Sequence, residues 1–207
     1  MKLKHALGLE GGEAVAFVGA GGKTNTMFEL AAELAPPVLL STTTHLGAWQ
    51  ANLADQHHVI KSVEELIKIN LNNVKTALLT GSISPDQRLS SVDPAILEAV
   101  HKHCQTHGFS LLIEADGARQ RPLKAPAAYE PVIPAWVDQV VVMAGLGGLG
   151  KPLDMESVHR PEIFAQLAGL ELGEEIRAAH LAQVLGSPFG GLKGIPDGAS
   201  RILFLNQ

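Results

Sequence analysis

The segment Val15-Ala16-Phe17-Val18-Gly19-Ala20-Gly21-Gly22-Lys23-Thr24 constrains this chain more than any other. A short apolar run, the pattern of a buried strand, breaks into glycines and ends in Gly-Lys-Thr, and Met27 through Leu34 then has the composition of a helix. Strand, glycine turn, Lys-Thr and helix in that order make a phosphate-binding layout. Glycines let the backbone curl so that successive N–H groups converge, and a helix N-terminus adds partial positive charge. Lys23 would reach the outer phosphates and the Thr24 hydroxyl would face Mg²⁺. The candidate nucleotide contacts here are Gly19, Ala20, Gly21, Gly22, Lys23, Thr24 and Asn25. The alternative is a glycine-rich turn with an incidental lysine, against which the order of the elements weighs.

The spacing departs from the common loop, in which another glycine stands five residues before the glycine of the Gly-Lys pair. Phe17 occupies that place. The shorter Gly19-to-Thr24 loop resembles those of the Mur-type ligases and of the dimeric, MinD-like ATPases with their GTPase relatives. The second likeness implies a homodimer across the nucleotide.

The chain of 207 residues suits a single domain, residues 1–207. Its residues are 46% apolar and only 4% aromatic, which fits an aliphatic α/β core. Sixteen basic against 21 acidic residues leave a net charge of −5, which argues against nucleic acid, whose phosphates attract basic surfaces. The lone Cys104 excludes an internal disulfide and points to the cytoplasm. Glu10, Glu13 and nearby glycines interrupt the apolar run after Met1-Lys2-Leu3-Lys4, so it does not read as a secretory signal. No apolar stretch has the length to span a bilayer.

Further strands are expected at 38–43, 57–60, 76–81, 109–114, 137–144 and 201–205. Helices are expected from Lys23 to before Pro36, from the Ser62–Glu65 capping box to about Asn70, and from an Asp93 cap to before Gly108. Two more are expected at 161–167 and 178–185, with 47–55 a loop or short helix. Strands alternating with helices imply parallel β-α-β units, and continuous apolar strands imply a sheet covered on both faces. The expected fold is α/β: a doubly wound, mostly parallel sheet of the P-loop NTPase type. In such a sheet ligands sit beyond the carboxyl ends of the strands, where this chain keeps its polar residues.

Glu114-Ala115-Asp116-Gly117 ends the most apolar strand and reads as a second nucleotide motif. Thr24, Asp116 and Glu114 are the candidate metal ligands, since nucleotide-bound Mg²⁺ takes few protein groups. One carboxylate can hold the metal while the other orients a nucleophile, which makes Lys23, Glu114, Asp116 and Arg119 the candidate catalytic set. Arg119, with Arg121 and Lys124 nearby, suits charge developing in phosphoryl transfer, the alternative being a solvated basic loop. Thr43, within Ser41-Thr42-Thr43-Thr44-His45, can meet a terminal phosphate or metal-bound water, or can simply end a β-branched strand. His103 and His107 lie one helical turn apart but lack a carboxylate signature, so a solvated helix face is the simpler reading. Lys151, His159 and Arg160 are candidates for closing over phosphates or touching a second substrate.

Ile202-Leu203-Phe204-Leu205-Asn206-Gln207 is a strand ending in Asn-Gln. Guanine-binding proteins place Asn-Lys-x-Asp there; Asn206 is thus a candidate base contact, and a helix is expected to follow, which suggests a C-terminal truncation.

These segments together resemble the YqeC-like family of selenium-dependent molybdenum hydroxylase accessory proteins. The resemblance rests on residues 17–24, 41–45, 114–119, Pro122-Leu123-Lys124-Ala125-Pro126, Gly150-Lys151-Pro152-Leu153 and Val158-His159-Arg160-Pro161-Glu162. Asn25 departs from it, where the family usually has threonine. The resemblance implies a cytoplasmic nucleotide-binding protein that helps mature a molybdenum hydroxylase, with that enzyme or its maturation factors as partner. The function expected is Mg²⁺-dependent binding and hydrolysis of ATP or GTP. The alternatives are a small-molecule kinase or ATP-dependent ligase, and a non-catalytic nucleotide-sensing module.

Overall fold

The computed structural model describes residues 2–207, so Met1, the first residue of the stretch weighed as a signal, lies outside the described residues. Its centre is a parallel sheet of seven strands. In chain order these are β1 (Ala14–Gly19), β2 (Val38–Thr42), β3 (Gln56–Val59), β4 (Thr76–Thr80), β5 (Ser110–Glu114), β6 (Gln139–Gly145) and β7 (Ser200–Asn206). Across the sheet they run β7-β6-β1-β5-β2-β4-β3, every pairing parallel.

The helices are α1 (Leu3–Ala6), α2 (Lys23–Glu33), α3 (Val63–Ile67), α4 (Pro94–His107), α5 (Pro161–Ala168) and α6 (Ala178–Leu185). Alternate residues of each strand enter opposite cores. Val15, Phe17, Leu40, Leu112 and Val141 pack with Met27, Leu30 and Ala31 of α2. Ala16, Val18, Leu39, Ile113 and Val142 pack with Ile96, Leu97, Val100 and Cys104 of α4 and Leu66 of α3. Helices therefore cover both faces, which is why these strands are apolar without alternation. A third cluster joins α5 and α6 through Phe164, Leu181 and Val184 to Leu123 and Val158, two residues of a short parallel pair, Leu123–Lys124 with Val158–His159.

The expected elements are present with ends shifted by a residue or two. Asp93 Oδ1 accepts from the Ala95 amide at 2.8 Å and Gly108 closes α4 at φ +71, as the cap and stop signals require. The capping box at Ser62 does not form. Glu65 accepts from the Lys61 amide instead, no side chain caps α3, and the helix ends at Ile67 rather than near Asn70. The segment expected as a loop or short helix holds a 3-10 turn, Ala48–Leu53.

From β1 the chain builds toward β2 and β3, returns to insert β5 beside β1, and then crosses to β6 and β7 on the other side. Winding reverses at β1, and the crevice beyond the carboxyl ends of β1, β5 and β6 is where such a sheet binds ligands. Glycines close the backbone there. At Gly19 (φ +92) a Cβ would stand 2.2 Å from the Met143 carbonyl oxygen, and at Gly21 (φ +82) one would stand 2.3 Å from the Gly145 nitrogen. Gly19→Ala is expected to destabilise the fold by roughly 2 kcal/mol or more through strain and overpacking, whereas Gly147→Ala, in open space, stays within about 0.5 kcal/mol. Urea denaturation of both variants checks the contrast.

Candidate functional site

Beyond those strand ends lies a cleft of about 1000 Å³. Its floor is the turn from β1 into α2. Gly22 stands at φ +98 before α2, and no side chain caps the helix, so the first-turn amides meet the cleft without a protein acceptor of that kind. The earlier amides of the loop are used internally. Gly19 N–H donates to Asp116 Oδ1 and Oδ2 at 3.1 and 3.0 Å, Ala20 N–H to the Met143 carbonyl at 2.9 Å, and Gly21 N–H to the Arg121 carbonyl at 3.3 Å.

Lys23 is 4% exposed and folds back over the turn. Its Nζ donates to the Gly19 carbonyl at 2.6 Å and stands 3.1 Å from Asp116 and 3.9 Å from Glu114. Burial alone would lower its pKa, and the two carboxylates more than offset that, so it lies above the ordinary lysine value. Glu114 accepts from Thr24 Oγ1 at 2.6 Å, and burial, opposed by Lys23 and Thr24, leaves its pKa above the usual carboxylate value. The two carboxylates thus converge, as their spacing at the strand end requires, but with different partners. Thr24 pairs with Glu114, whereas Asp116 is held by the Gly19 amide, Lys23 and, at 2.7 Å, Lys124.

Lys124 extends this into a chain of buried charge. Its side chain is 1% exposed, its Nζ donates to the Gly117 carbonyl at 2.6 Å, and it stands 2.7 Å from Glu130. Glu130 in turn accepts from Arg160 through both oxygens, at 2.7 and 3.0 Å. Arg160 lies 5.9 Å over the Tyr129 ring, a cation–π contact. Burial would raise the Glu130 pKa, and hydrogen bonds from Arg160 and Lys124 overcome it and hold the carboxyl low. His159, beside these cations, is pushed down to about 4, chiefly by burial and then by Arg160 and Lys124.

Most of the other expected residues border the same cleft, and Asn206, Lys151, His103 and His107 do not. Thr43 lines the cleft, but its hydroxyl donates to the Val132 carbonyl at 2.7 Å, and the Thr42 hydroxyl donates to the Glu114 carbonyl at 2.9 Å. Thr44, His45, Asn25 and Arg119 line the cleft, Arg119 with left-handed backbone at φ +49. Asn206 does not line it. Its Nδ2 donates to the Gly21 carbonyl at 2.8 Å and braces the loop from β7. Lys151 is exposed and lies outside the cleft lining. The His103 and His107 rings lie 4.3 Å apart, tilted by 37°, and among the described residues no group of three His, Cys, Asp or Glu could hold a metal.

Glu130, Tyr129, Trp49 and Arg88 were not expected at the cleft. For Tyr129 and Glu130 the available signal was the length of the connection from β5 to β6, since a long connection with little secondary structure is usually functional, whereas Trp49 and Arg88 lie in the connections that follow β2 and β4.

A parallel, doubly wound α/β protein with a glycine-lined crevice at its switch point is the class that fold and site define. The chain belongs to the YqeC family: the family model described as "YqeC protein" matches residues 15–162. It is 31% identical to "Uncharacterized protein YqeC" of Escherichia coli (strain K12), over 93% of this chain and 75% of the relative. No solved structure matches significantly.

Lys124→Met should destabilise the fold by roughly 3–5 kcal/mol, because Asp116 and Glu130 lose a buried partner, while Lys102→Ala at the exposed Glu98 pair should leave stability nearly unchanged. Chemical denaturation distinguishes them. His159 titrates near 6.5 unfolded and about 4 folded, so between those values the unfolded chain binds the extra proton. Stability from this group is complete above the unfolded value and is lost as the pH falls toward 4. His159→Gln is expected to flatten the fall of Tm across that window.

Proposed function

We propose that this chain is a P-loop NTPase-type domain that binds ATP or GTP with Mg²⁺ and hydrolyses it. The observation that supports this most is the placement of Lys23. It is a buried ammonium folded over a left-handed glycine turn, at the foot of an uncapped helix, inside a large cleft at the switch point. Free first-turn amides and a cation beside the glycine turn are what a phosphate chain requires.

Thr24 Oγ1 and Glu114 Oε2, 2.6 Å apart at the cleft floor, suit Mg²⁺, which keeps several waters and accepts phosphate oxygens alongside few protein groups. These two residues would hold it. When bound, the ion neutralises charge on the outer phosphates. Asp116 takes a different part in this proposal from the metal-ligand role expected of it. When Lys23 turns from Asp116 to a phosphate, Lys124 keeps Asp116 paired, so the exchange leaves no bare buried charge. Arg119 and Thr44 are the groups that would meet phosphate charge and the attacking water from the open side.

A second reading, phosphoryl transfer to a small acceptor, is favoured by the size of the cleft, which extends past Lys23 to Trp49 and Arg88. Turnover that appears only with an added acceptor would select it. Coupling of the nucleotide cycle to maturation of a molybdenum hydroxylase, in the cytoplasm and through a homodimer, is the extension that the resemblance supplies; copurification with that enzyme tests it.

In calorimetry, Lys23→Ala should weaken nucleotide binding by about 10–100-fold through loss of a charge-assisted contact, and Thr24→Ala should remove the gain that Mg²⁺ provides. A Lys23→Ala protein that binds ATP and GTP as the wild type does would sink this assignment.

A further inference from the structure

The side of the cleft away from β7 is walled by a part of the chain remote from the glycine turn. Two short strands, Leu46–Gly47 and Arg88–Leu89, pair antiparallel beyond the carboxyl ends of β2 and β4. Leu46 and Leu89 are buried in the core at 1% and 0% exposure, and the Ala48 amide donates to the Gln87 carbonyl at 2.9 Å. The pair is therefore a fixed platform rather than a loose loop. Trp49 and Arg88 project from it into the same cleft.

Trp49 is 59% exposed, yet its place is set. The indole lies over Gly47, where a Cβ would come within 2.7 Å of Nε1, and the Gly47 amide donates to Gln50 Oε1 at 2.7 Å. A large apolar ring held in place with a face open to a cleft is a stacking surface. Arg88 has no ion-pair partner among the described residues, and its acidic neighbour Asp86 accepts from Ser84. Arg119 and Arg121 approach the cleft from the loop after β5, and they too have no carboxylate within ion-pair distance among the described residues. In a chain of net charge −5, three unpaired arginines around one cleft mark an anionic ligand.

The cleft volume, about 1000 Å³, stands at the upper end of the roughly 300–1,000 Å³ typical of ligand pockets, which leaves room for a second ligand beside a nucleotide. Asn206 braces the glycine loop from β7 without lining the cleft, and Trp49 and Arg88 line it on the side of β2 and β4.

We propose that the Trp49–Arg88 platform is a second-substrate subsite for small phosphorylated compounds with a flat ring, the ring stacking on Trp49 and the phosphate paired with Arg88. This builds on the nucleotide reading only in assigning the other half of the cleft to a triphosphate. It deepens that reading by naming the class of compound that would stand opposite the phosphate loop.

Flavin mononucleotide and riboflavin, the same ring with and without a phosphate, serve as fluorescent probes of the full-length chain, each titrated with and without saturating Mg-ATP. The wild type should bind flavin mononucleotide with quenched fluorescence in the presence of Mg-ATP, and riboflavin about tenfold more weakly. Arg88→Ala should lower flavin mononucleotide affinity about tenfold, to the riboflavin level, without changing riboflavin binding. Trp49→Ala should weaken both probes by a similar factor of about tenfold, and Trp49→Phe should restore most of it. Binding that is absent below about 1 mM, unchanged in both alanine variants, or displaced by Mg-ATP would overturn the subsite. If ATP and GTP fail to bind while the flavin pattern holds, the nucleotide reading falls and the subsite stands.

Discussion

Asp116 sits 2% exposed at the end of the central strand, and the site depends on how its charge is held. A carboxylate so buried costs several kcal/mol unless it is paired and hydrogen-bonded, and here both conditions are met. The Gly19 amide, Lys23 and Lys124 converge on it, and each belongs to a different part of the fold: the glycine turn, the first turn of α2, and the short strand pair that precedes α5. One side chain thereby sets the position of the glycine turn, pairs with Lys23 and ties the C-terminal cluster to the sheet. Glu130 and Arg160 continue the same alternation of charge outward until it reaches Tyr129 at the rim of the cleft.

The alternation has a consequence for function. A single buried ion pair would resist being opened, because release of either partner leaves an uncompensated charge. In a chain of alternating charges, Lys23 can leave Asp116 while Lys124 stays, so a nucleotide would meet a lysine whose departure has already been provided for. The same principle separates the two carboxylates. Under the proposed function, Glu114, with the Thr24 hydroxyl as its close partner, would be the one to face a cation, while Asp116 holds the loop through the Gly19 amide.

Much of the fold was legible because its determinants are local. Apolar runs of strand length, the Asp93-Pro94 start of α4, Gly108 at its end and the prolines after α2 each act within a few residues. The Ser62 box failed because its glutamate found the Lys61 amide, a competition among neighbours that the pattern of residue types does not rank. The glycine turn was legible for a stronger reason. Positive φ and backbone contact at Gly19 and Gly21 exclude almost any side chain, so the residues themselves record the geometry.

By itself, the sequence determined that a strand, a glycine turn and a helix would present Lys23 and Thr24 at the edge of an α/β sheet, with Glu114 and Asp116 close by. Periodicity, turn chemistry and strand-end spacing are short-range properties, and they act before any long contact forms. Only the tertiary structure decided which carboxylate meets Thr24, that Asn206 braces the loop, that Glu130 and Arg160 complete a charge chain with Lys124, and that Trp49 and Arg88 share a platform. Those partners are brought together by strand order and by loops from distant parts of the chain. Charge pairing and stacking choose whichever suitable groups packing leaves within a few ångströms, and residue type along the chain carries no record of that choice.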